Sequence, residues 1–329
     1  MEGPIRQQLV PIPSVWQRMD RVEERLMEVT VAETPFLTEI AQHLLKAGGK
    51  RFRPLLSQVA GEFGTLEEPT IEAGVSVELV HAGSLYHDDV IDEAKSRHGE
   101  TSANLNWSNT VAILAGDFLL AKASEVAAPL GEEAVALIAR TYATLCEGQV
   151  LELTLENDLE HGPDEYFRVI GGKTASLIRT SARLGAMASG ADQETIEHLS
   201  EWAWELGVVF QMTDDVLDLI ASEEFLGKPA GSDIGEGVFT LPVLYAVQGP
   251  SGDRIRSLLD SDGDYSPQAV SEVIDIVTQG GYIDRVLDEA AERIRVADKA
   301  ASQLPEGMMR EILRNIATFL MDRVTAARR

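Results

Sequence analysis

Apolar side chains recur every three to four positions over most of the chain. Two such runs are Leu137, Ile138, Tyr142, Leu145 and Val270, Val273, Ile274, Val277. This spacing matches the turn of an α-helix and predicts helices that bury one apolar face. Convincing period-two alternation, which is typical of half-buried strands, is absent. The pattern therefore predicts an all-α fold.

Helix start and stop signals divide this pattern into a series of predicted helices. They cover residues 14–30, 35–46, 53–63, 70–93, 108–128, 132–157, 164–190, 193–221, 239–248, 267–279, 281–303 and 306–327. Glycine, proline and short polar residues mark the predicted loops, among them residues 223–238 and 249–267. No linker or change of composition divides the chain, so we expect one large domain over residues 1–329, with a variable helical segment over about residues 1–30.

Two acidic clusters of one pattern interrupt the predicted helices. They read Asp88-Asp89-Val90-Ile91-Asp92 and Asp214-Asp215-Val216-Leu217-Asp218. On a helix, the first and last Asp of each cluster lie one turn apart on the same face. Adjacent carboxylates repel each other unless a cation neutralises them, and hard oxygen ligands with room for water and phosphate suit Mg²⁺. The alternative is a solvated acidic face, which the apolar residues around both clusters disfavour.

Basic residues are scarce but gather near the acidic clusters. The formal net charge of −26 argues against a nucleic-acid partner. The segment Gly48-Gly49-Lys50-Arg51-Phe52-Arg53-Pro54 nevertheless places three cations beside a flexible turn at a predicted helix start, where a diphosphate would be favoured. The alternative is a basic surface turn. Further candidates for contact with an anion are Arg97, His98, Lys173 and Lys228.

Cysteine usage and the chain's N-terminal residues bear on the compartment. The single Cys146 excludes a disulfide within the chain, and its helical surroundings predict a buried, reduced thiol. Residues Met1 to Arg6 have no apolar run behind them, and no stretch of about eighteen apolar residues follows later. We therefore expect a cytoplasmic protein.

Taken together, the motifs resemble those of the trans-polyprenyl diphosphate synthases, the head-to-tail isoprenyl diphosphate synthase family, and in particular its medium- and long-chain bacterial members. The matching segments are Gly48 to Pro54, both Asp clusters, Gly148-Gln149 with Glu152, Lys173-Thr174, Phe210-Gln211, the loop Gly227 to Asp233, and Thr240-Leu241-Pro242. The resemblance covers nearly the whole chain. It implies the isoprenoid synthase fold, with a central cavity between two Asp-rich helices, and a homodimer.

The resemblance also implies a role for each matching residue. The residues implied to hold isopentenyl diphosphate are Lys50, Arg53 and His81, with Arg51 and His98 nearby. Those implied to bind about three Mg²⁺ ions, and through them the allylic diphosphate, are Asp88, Asp92, Asp214 and Asp218, with Asp89, Asp215 and Asp233 in support. The remaining implied roles fall to Arg97, Lys173 and Lys228 as further cations of the allylic site, to Thr174 and Gln211 as oxygens facing the allylic cation, and to Glu152 in the cavity wall.

The resemblance implies a prenyl transfer in which Mg²⁺ and cationic side chains stabilise a departing diphosphate. Two positions depart from the family pattern. His98 stands where Arg is common, so one diphosphate contact becomes titratable near neutral pH, and Val238 stands where many members have Lys. A terpene cyclase is disfavoured because both clusters are present. A non-catalytic partner subunit of a heteromeric synthase is disfavoured because no carboxylate of either cluster is missing.

The helix before the first cluster bears on product length. Below Asp88 it offers Ser84, Gly83, Val80, Val77, Ser76 and Ala73. Short-chain members of the family typically place a bulky residue four or five positions before the first Asp, and none is present here. Because each buried CH₂ of a growing tail contributes about 0.8 kcal/mol, we expect retention of the tail and an all-trans product of about six to ten isoprene units that partitions into membranes. A geranylgeranyl or farnesyl product is the alternative.

Overall fold

The computed structural model describes residues 8–222, 229–260, 263 and 265–328. Helices dominate these residues, as predicted. They are α1 (Pro13–Val29), α2 (Pro35–Ala41), α3 (His43–Lys46), α4 (Phe52–Gly61), α5 (Glu67–Ile91), α6 (Ala103–Asn106), α7 (Asn109–Ala127), α8 (Glu132–Leu155), α9 (Pro163–Ile170), α10 (Ser176–Ser189), α11 (Gln193–Ile220), α12 (Ser232–Gly235), α13 (Leu241–Val247), α14 (Gly252–Leu258), α15 (Pro267–Gln279), α16 (Tyr282–Ala301) and α17 (Met308–Ala327).

Shorter elements account for the differences from the predicted helices. A π-helical turn, Gly171–Ala175, interrupts the predicted helix 164–190 and joins α9 to α10. Within the described residues, the strands are the antiparallel pair β1 (Ser96–Arg97) and β2 (Glu100–Thr101). Two residues are too few to show alternation, which is why the sequence reads this hairpin as a loop. Helix α14 likewise lies in a segment predicted as a polar loop.

The chain divides into two compact units. The first comprises the described part of Met1–Ala143 together with Leu177–Ser200. Its central helix is α5, which packs against α1, α4 and α7. Leu79 and Val80 of α5 are fully buried. The first Asp cluster therefore lies at the C-terminal end of a helix that the unit's core holds in place.

The second unit comprises Thr144–Ser176 and the described part of Glu201–Arg329. Helix α13 packs against α9, α14, α15 and α16, and α16 packs against α17. The second Asp cluster lies in the last two turns of α11, where Val216 and Leu217 are buried. The sequence expectation of one large domain stays a prediction.

The single cysteine, on helix α8, differs from its predicted burial. Cys146 is exposed, so the prediction of a buried thiol is wrong. Cys146 lies on the solvent-facing side of α8, the side it shares with the exposed Val150 four residues later.

Among the described helices, none combines the length and the hydrophobicity that crossing a membrane requires.

Candidate active site

The first Asp cluster places two carboxylates at the C-terminal end of α5. The backbone N–H of Asp92 donates to the carbonyl oxygen of Asp88 at 2.8 Å, so the two residues follow each other by one turn. Asp88 is half-buried and Asp92 is exposed. The negative end of a helix dipole favours cations. Hard oxygen donors and the helix dipole therefore both suit this pair to a divalent metal ion.

The middle carboxylate of the cluster has a different environment. Asp89 is fully buried, and its Oδ1 accepts hydrogen bonds from Nε and Nη2 of Arg97 at 2.8 and 2.7 Å. Burial raises the pKa of Asp89 above its ordinary value, and the charge of Arg97 opposes that rise. Asp89 thus orients Arg97 on the hairpin strand β1.

Cationic side chains gather beside the turn that precedes α4. Burial, followed by the charges of Arg53 and His98, holds the pKa of His81 well below its usual range. Burial and the charges of Arg97, Arg51 and Lys50 lower the pKa of His98. Cations shift each other's pKa in this way only when they are close. The structure therefore brings these residues, which were predicted to bind isopentenyl diphosphate, close to one another in the first unit.

Arg51 differs from the other members of this group. Its side chain is buried, and the guanidinium forms ion pairs with Glu23 and Glu78 at 2.6 and 3.0 Å. The prediction placed Arg51 near the substrate as a binding residue. In the structure its guanidinium is instead engaged by carboxylates of α1 and α5, since both helices pack around the turn within the first unit.

The second Asp cluster, like the first, contains both solvent-accessible and buried carboxylates. The side chain of Asp214 is 35% exposed, and its Oδ1 accepts a hydrogen bond from Nη2 of Arg323 at 2.9 Å. Asp218 is buried, and its oxygens accept from the Ser232 hydroxyl at 2.7 Å and from the backbone N–H of Asp233 at 3.3 Å. Asp218, predicted as a metal ligand, therefore anchors the start of α12, and Asp214 is the carboxylate that reaches solvent.

A hydrogen-bond chain connects the second cluster to the π-helical turn. The Thr174 hydroxyl donates to Oε1 of Gln211 at 2.8 Å, and Nε2 of Gln211 donates to Oδ1 of Asp215 at 2.8 Å. The Tyr166 hydroxyl donates to Oδ2 of Asp215 at 2.5 Å. Burial, followed by the nearby Asp233 carboxylate, raises the pKa of Asp215 to about 8. Each polar group thus fixes the orientation of the next.

Tyr166 is the member of this chain that the sequence did not single out. It lies on the buried face of α9, and burial together with Asp215 raises its pKa well above the ordinary value. A tyrosine on an apolar helix face is typical of a core position. Nothing in the linear sequence connects it with Asp215, which lies on another helix.

Lys173 and Glu152 form an ion pair within the second unit. The approach of α8 to the π-helical turn explains it, because a Cβ on Gly172 would lie 2.9 Å from the Cα of Gly148. With glycine at both positions the backbones touch, and Glu152, one turn after Gly148, meets the Lys173 ammonium. Glu152 was predicted in the cavity wall, and the structure adds that it neutralises Lys173.

Two further predicted positions lie around α12. Lys228 lies outside the described residues. Asp233 is half-buried at the start of α12, and the backbone N–H of Val238 donates to its carbonyl oxygen at 2.8 Å. The departure at Val238 therefore lies close to a carboxylate of the second cluster's loop.

The structure shows what two of the residues below Asp88, Gly83 and Ser84, contact. A Cβ on Gly83 would lie 3.0 Å from the carbonyl oxygen of Gly116 and 3.0 Å from Cγ of Leu120. Gly83 therefore packs directly on α7. Ser84 is buried, and its hydroxyl donates to the carbonyl oxygen of His81 at 2.9 Å.

Comparison with known proteins agrees with these features. The family model of polyprenyl synthetase matches residues 34–277. Nonaprenyl diphosphate synthase of Mycobacterium tuberculosis is 38% identical over 91% of this chain and 91% of that protein. Heptaprenyl diphosphate synthase component 2 of Geobacillus stearothermophilus is 37% identical over 91% of this chain and 93% of that protein.

Solved structures lead to the same family. The crystal structure of geranylgeranyl pyrophosphate synthase from Corynebacterium glutamicum, complexed with calcium and isoprenyl diphosphate, superposes with a TM-score of 0.83. It is 39% identical, and the match covers 98% of each chain. The family predicted from the motifs is confirmed. The chain belongs to the polyprenyl synthetase family and is a trans-prenyltransferase.

Proposed function

We propose that this trans-prenyltransferase condenses isopentenyl diphosphate with an allylic diphosphate, using the residues that both Asp clusters and the turn before α4 provide. The observation that carries this proposal is the group of cations around His81 on α5, the helix that ends in the first Asp cluster. A group of basic side chains in the first unit, together with the carboxylate pair at the end of α5, matches a substrate that is an anion and is bound with a metal ion.

We propose that Asp88 and Asp92 hold Mg²⁺ in the first unit and that Asp214 is a Mg²⁺ ligand of the second unit. Within the described residues, no three His, Cys, Asp or Glu side chains form a group that could hold a metal ion. Mg²⁺ usually takes one or two carboxylates and completes its shell with water and substrate phosphates, which is what the pair Asp88 and Asp92 offers. When bound, Mg²⁺ would supply positive charge that stabilises the diphosphate as a leaving group.

The chain's own residues bind and orient the substrates. Lys50 and Arg53 would pair with the diphosphate of isopentenyl diphosphate, and His81, neutral because its pKa is depressed, would donate a hydrogen bond to it. Arg97, held in place by Asp89, would contact a diphosphate as a fixed cation. Each of these interactions would help to orient the bound diphosphate.

We propose that the hydroxyl of Thr174 stabilises positive charge. Because it donates its proton to Gln211, its remaining lone pairs are free to face a developing allylic cation. Lys173, in the same turn, and Lys228 are proposed to bind the allylic diphosphate. The new bond joins two substrate carbon atoms, so no side-chain nucleophile is required.

We further propose a medium- to long-chain product. The similarity to the nonaprenyl synthase and the absence of a bulky residue at positions 83 and 84 support it. The similarity to a geranylgeranyl synthase keeps the shorter product as the second candidate. The similarity to a heptaprenyl synthase component would also suit a partner subunit, but both Asp clusters are complete here, which favours activity without a second component.

One incubation tests these alternatives. The purified chain receives Mg²⁺, labelled isopentenyl diphosphate and, in separate reactions, allylic primers of increasing length, and the products are sized by chromatography. We expect elongation to about six to ten isoprene units, since the retained tail is extended further. Product that stops at four units would establish the shorter synthase. No product with any primer would contradict the proposed activity of the isolated chain.

A homodimer is part of the proposal. Helix α7 exposes the adjacent residues Ile113 and Leu114, at 43% and 58%, in the first unit. Neighbouring exposed apolar side chains on a helix are typical of a protein interface. Leu114→Glu should therefore halve the molecular mass measured by light scattering on a sizing column. A wild-type chain that elutes as a monomer would contradict the proposal. The cytoplasmic location stays a prediction of the sequence.

A further inference from the structure

Arg51 stands between Lys50 and Arg53 in the sequence, but its guanidinium donates to groups of the first unit. Nε and Nη2 donate to the two oxygens of Glu23 at 2.6 and 3.3 Å. Nη1 donates to Gly48 O and Glu78 Oε1, both at 3.0 Å, and Nη2 also donates to Leu45 O at 2.7 Å. A guanidinium has five N–H donors, so all of them are engaged. No donor is left for a phosphate oxygen.

The backbone of Arg51 has an unusual conformation. Its φ of 45° and ψ of 37° lie in the left-handed region, which residues other than glycine rarely adopt, and it directly precedes α4. Contacts around it must therefore hold this conformation. Of the acceptors, Gly48 O belongs to the same turn, Leu45 O lies in α3, Glu23 lies on α1 and Glu78 on α5. A single side chain thus connects the turn to three helices.

Glu78 indicates that this ion pair has a role beyond stability. Its side chain is 5% exposed, and its buried Oε2 has no hydrogen-bond partner in the described part of the chain. Burial raises the pKa of Glu78, and the charges of Arg51 and Arg53 oppose the rise. Apolar residues often replace a buried ion pair without loss of stability, so such a pair is a poor stabiliser. A buried ion pair does, however, restrict its two side chains to one arrangement.

Gly49 shows which groups lie close together when the Arg51 ion pairs hold the turn in place. A Cβ on Gly49 would lie 3.2 Å from Nη1 of Arg51 and 3.4 Å from Cε1 of His98. The turn therefore lies close to both the guanidinium and the hairpin that carries His98. Lys50 directly precedes Arg51 in the chain, so displacing Arg51 would also move Lys50 relative to His98 and to Arg53.

We infer that Arg51, together with Glu23 and Glu78, is a positioning residue that fixes the turn so that Lys50 and Arg53 address one diphosphate. It is not itself a ligand of that diphosphate. The inference rests on the proposed assignment of Lys50, Arg53 and His81 to isopentenyl diphosphate. It adds Glu23 and Glu78, two carboxylates, to the residues on which affinity for this anionic substrate depends.

Glu78→Met distinguishes positioning from direct contact by the sign of its effect. If Arg51 positions the turn, losing its buried partner loosens the turn, and the KM for isopentenyl diphosphate rises about tenfold, as expected for one charge-assisted hydrogen bond. The KM for the allylic substrate should change less than twofold. If Arg51 bound the diphosphate directly, removing a competing carboxylate would lower the KM for isopentenyl diphosphate, and that result would overturn the inference.

Two further variants keep the test decisive if Glu78→Met does not fold. Glu23 is 45% exposed, so Glu23→Gln should fold normally and raise the KM for isopentenyl diphosphate about two- to threefold. The double variant Arg51→Met/Glu78→Met removes both buried charges and should keep its melting temperature within a few degrees, since apolar replacements of buried pairs are tolerated. Its KM for isopentenyl diphosphate should nevertheless stay raised. A wild-type KM in the double variant would show that the pair has no part in substrate binding.

Arg53→Ala separates this inference from the site assignment. If Arg53→Ala leaves the KM for isopentenyl diphosphate unchanged, the assignment of the site is wrong. If it raises that KM whereas Glu78→Met and Glu23→Gln do not, the assignment stands and only the inference about Arg51 is overturned.

Discussion

His98→Arg tests the electrostatics of the proposed isopentenyl diphosphate site. His98 lies at the hairpin turn with a φ of 53°, and its pKa is lowered by burial and by Arg97. Its ordinary pKa is about 6.5, so at about pH 8 the imidazole is almost entirely neutral. Arginine stays charged throughout this range. The substitution therefore adds one positive charge at pH 8 and a smaller fraction of a charge at lower pH.

The size of the effect follows from the exposure of the side chain. Neighbouring groups displace part of the water around the His98 ring, but the residue as a whole is exposed. The attraction between an arginine and a phosphate about 4 Å away therefore lies near the aqueous limit of about 1 kcal/mol and below the value of about 4 kcal/mol for a protein surface. About 1–2 kcal/mol corresponds to a roughly five- to thirtyfold lower KM for isopentenyl diphosphate at pH 8. Both residues share the left-handed backbone, so its strain largely cancels in the comparison.

The assay measures initial rates at saturating allylic substrate while isopentenyl diphosphate and pH are varied. We expect the advantage of His98→Arg to shrink from pH 8 to about pH 5.5, as the native imidazole gains its own charge. His98→Gln, which cannot titrate, is the matched control and should resemble the wild type at pH 8. Equal KM values for wild type and His98→Arg at both pH values would show that His98 does not face the diphosphate.

Four further substitutions test other parts of the site. Asp88→Ala should lower turnover by at least roughly several hundredfold and weaken Mg²⁺ binding measured by calorimetry, because it removes a proposed metal ligand; unchanged Mg²⁺ affinity would contradict the assignment. Because the pKa of His81 is depressed in the folded state, the unfolded chain binds a proton on this imidazole more readily than the folded chain does. The contribution of neutral His81 to stability is therefore complete above about pH 6.5 and is lost as pH falls through the folded-state pKa. Denaturant midpoints of His81→Gln should fall less between about pH 7.5 and about pH 5 than those of the wild type. Tyr166→Phe removes the hydroxyl that donates to Asp215 and should lower kcat about tenfold with little change in either KM, the equivalent of one hydrogen bond; an unchanged kcat with a lower melting temperature would assign Tyr166 to stability alone. Ser84→Phe should shorten the product to about three or four isoprene units if the tail passes this point, since the ring would occupy space the chain needs, and an unchanged product length would exclude that path.

The helices could be predicted from the sequence because their signal is local. Apolar spacing and end signals predicted α1, α5, α8 and α11 to within a few residues of the observed ends. Two-residue strands and a single π-helical turn have no comparable local signal. Which cationic residues gather near α4 also followed from the sequence, since the motifs of the family already group them.

The direction in which each side chain points could not be predicted. Lys50, Arg51 and Arg53 look equivalent in the sequence, and only the left-handed backbone at Arg51 and the buried carboxylate of Glu78 show which of them is committed to an internal ion pair. Gly83 was named only as a small residue below Asp88, and it packs on α7 because Gly116 allows close contact there. Both outcomes depend on residues far away in sequence, and no local pattern contains that information.

The two Asp clusters use their middle carboxylates in the same way. Asp89 and Asp215 are both buried, with exposures of 0% and 4%, and each accepts hydrogen bonds from a group proposed to contact substrate, Arg97 in one unit and Gln211 in the other. The donors offset part of the cost of burying each carboxylate, and each carboxylate in turn holds its donor in one orientation. The first Asp of each cluster is more exposed and suited to a metal ion. The repeated pattern therefore combines two tasks in adjacent residues, one carboxylate directed towards the ligand and the next fixing a neighbouring substrate-binding group.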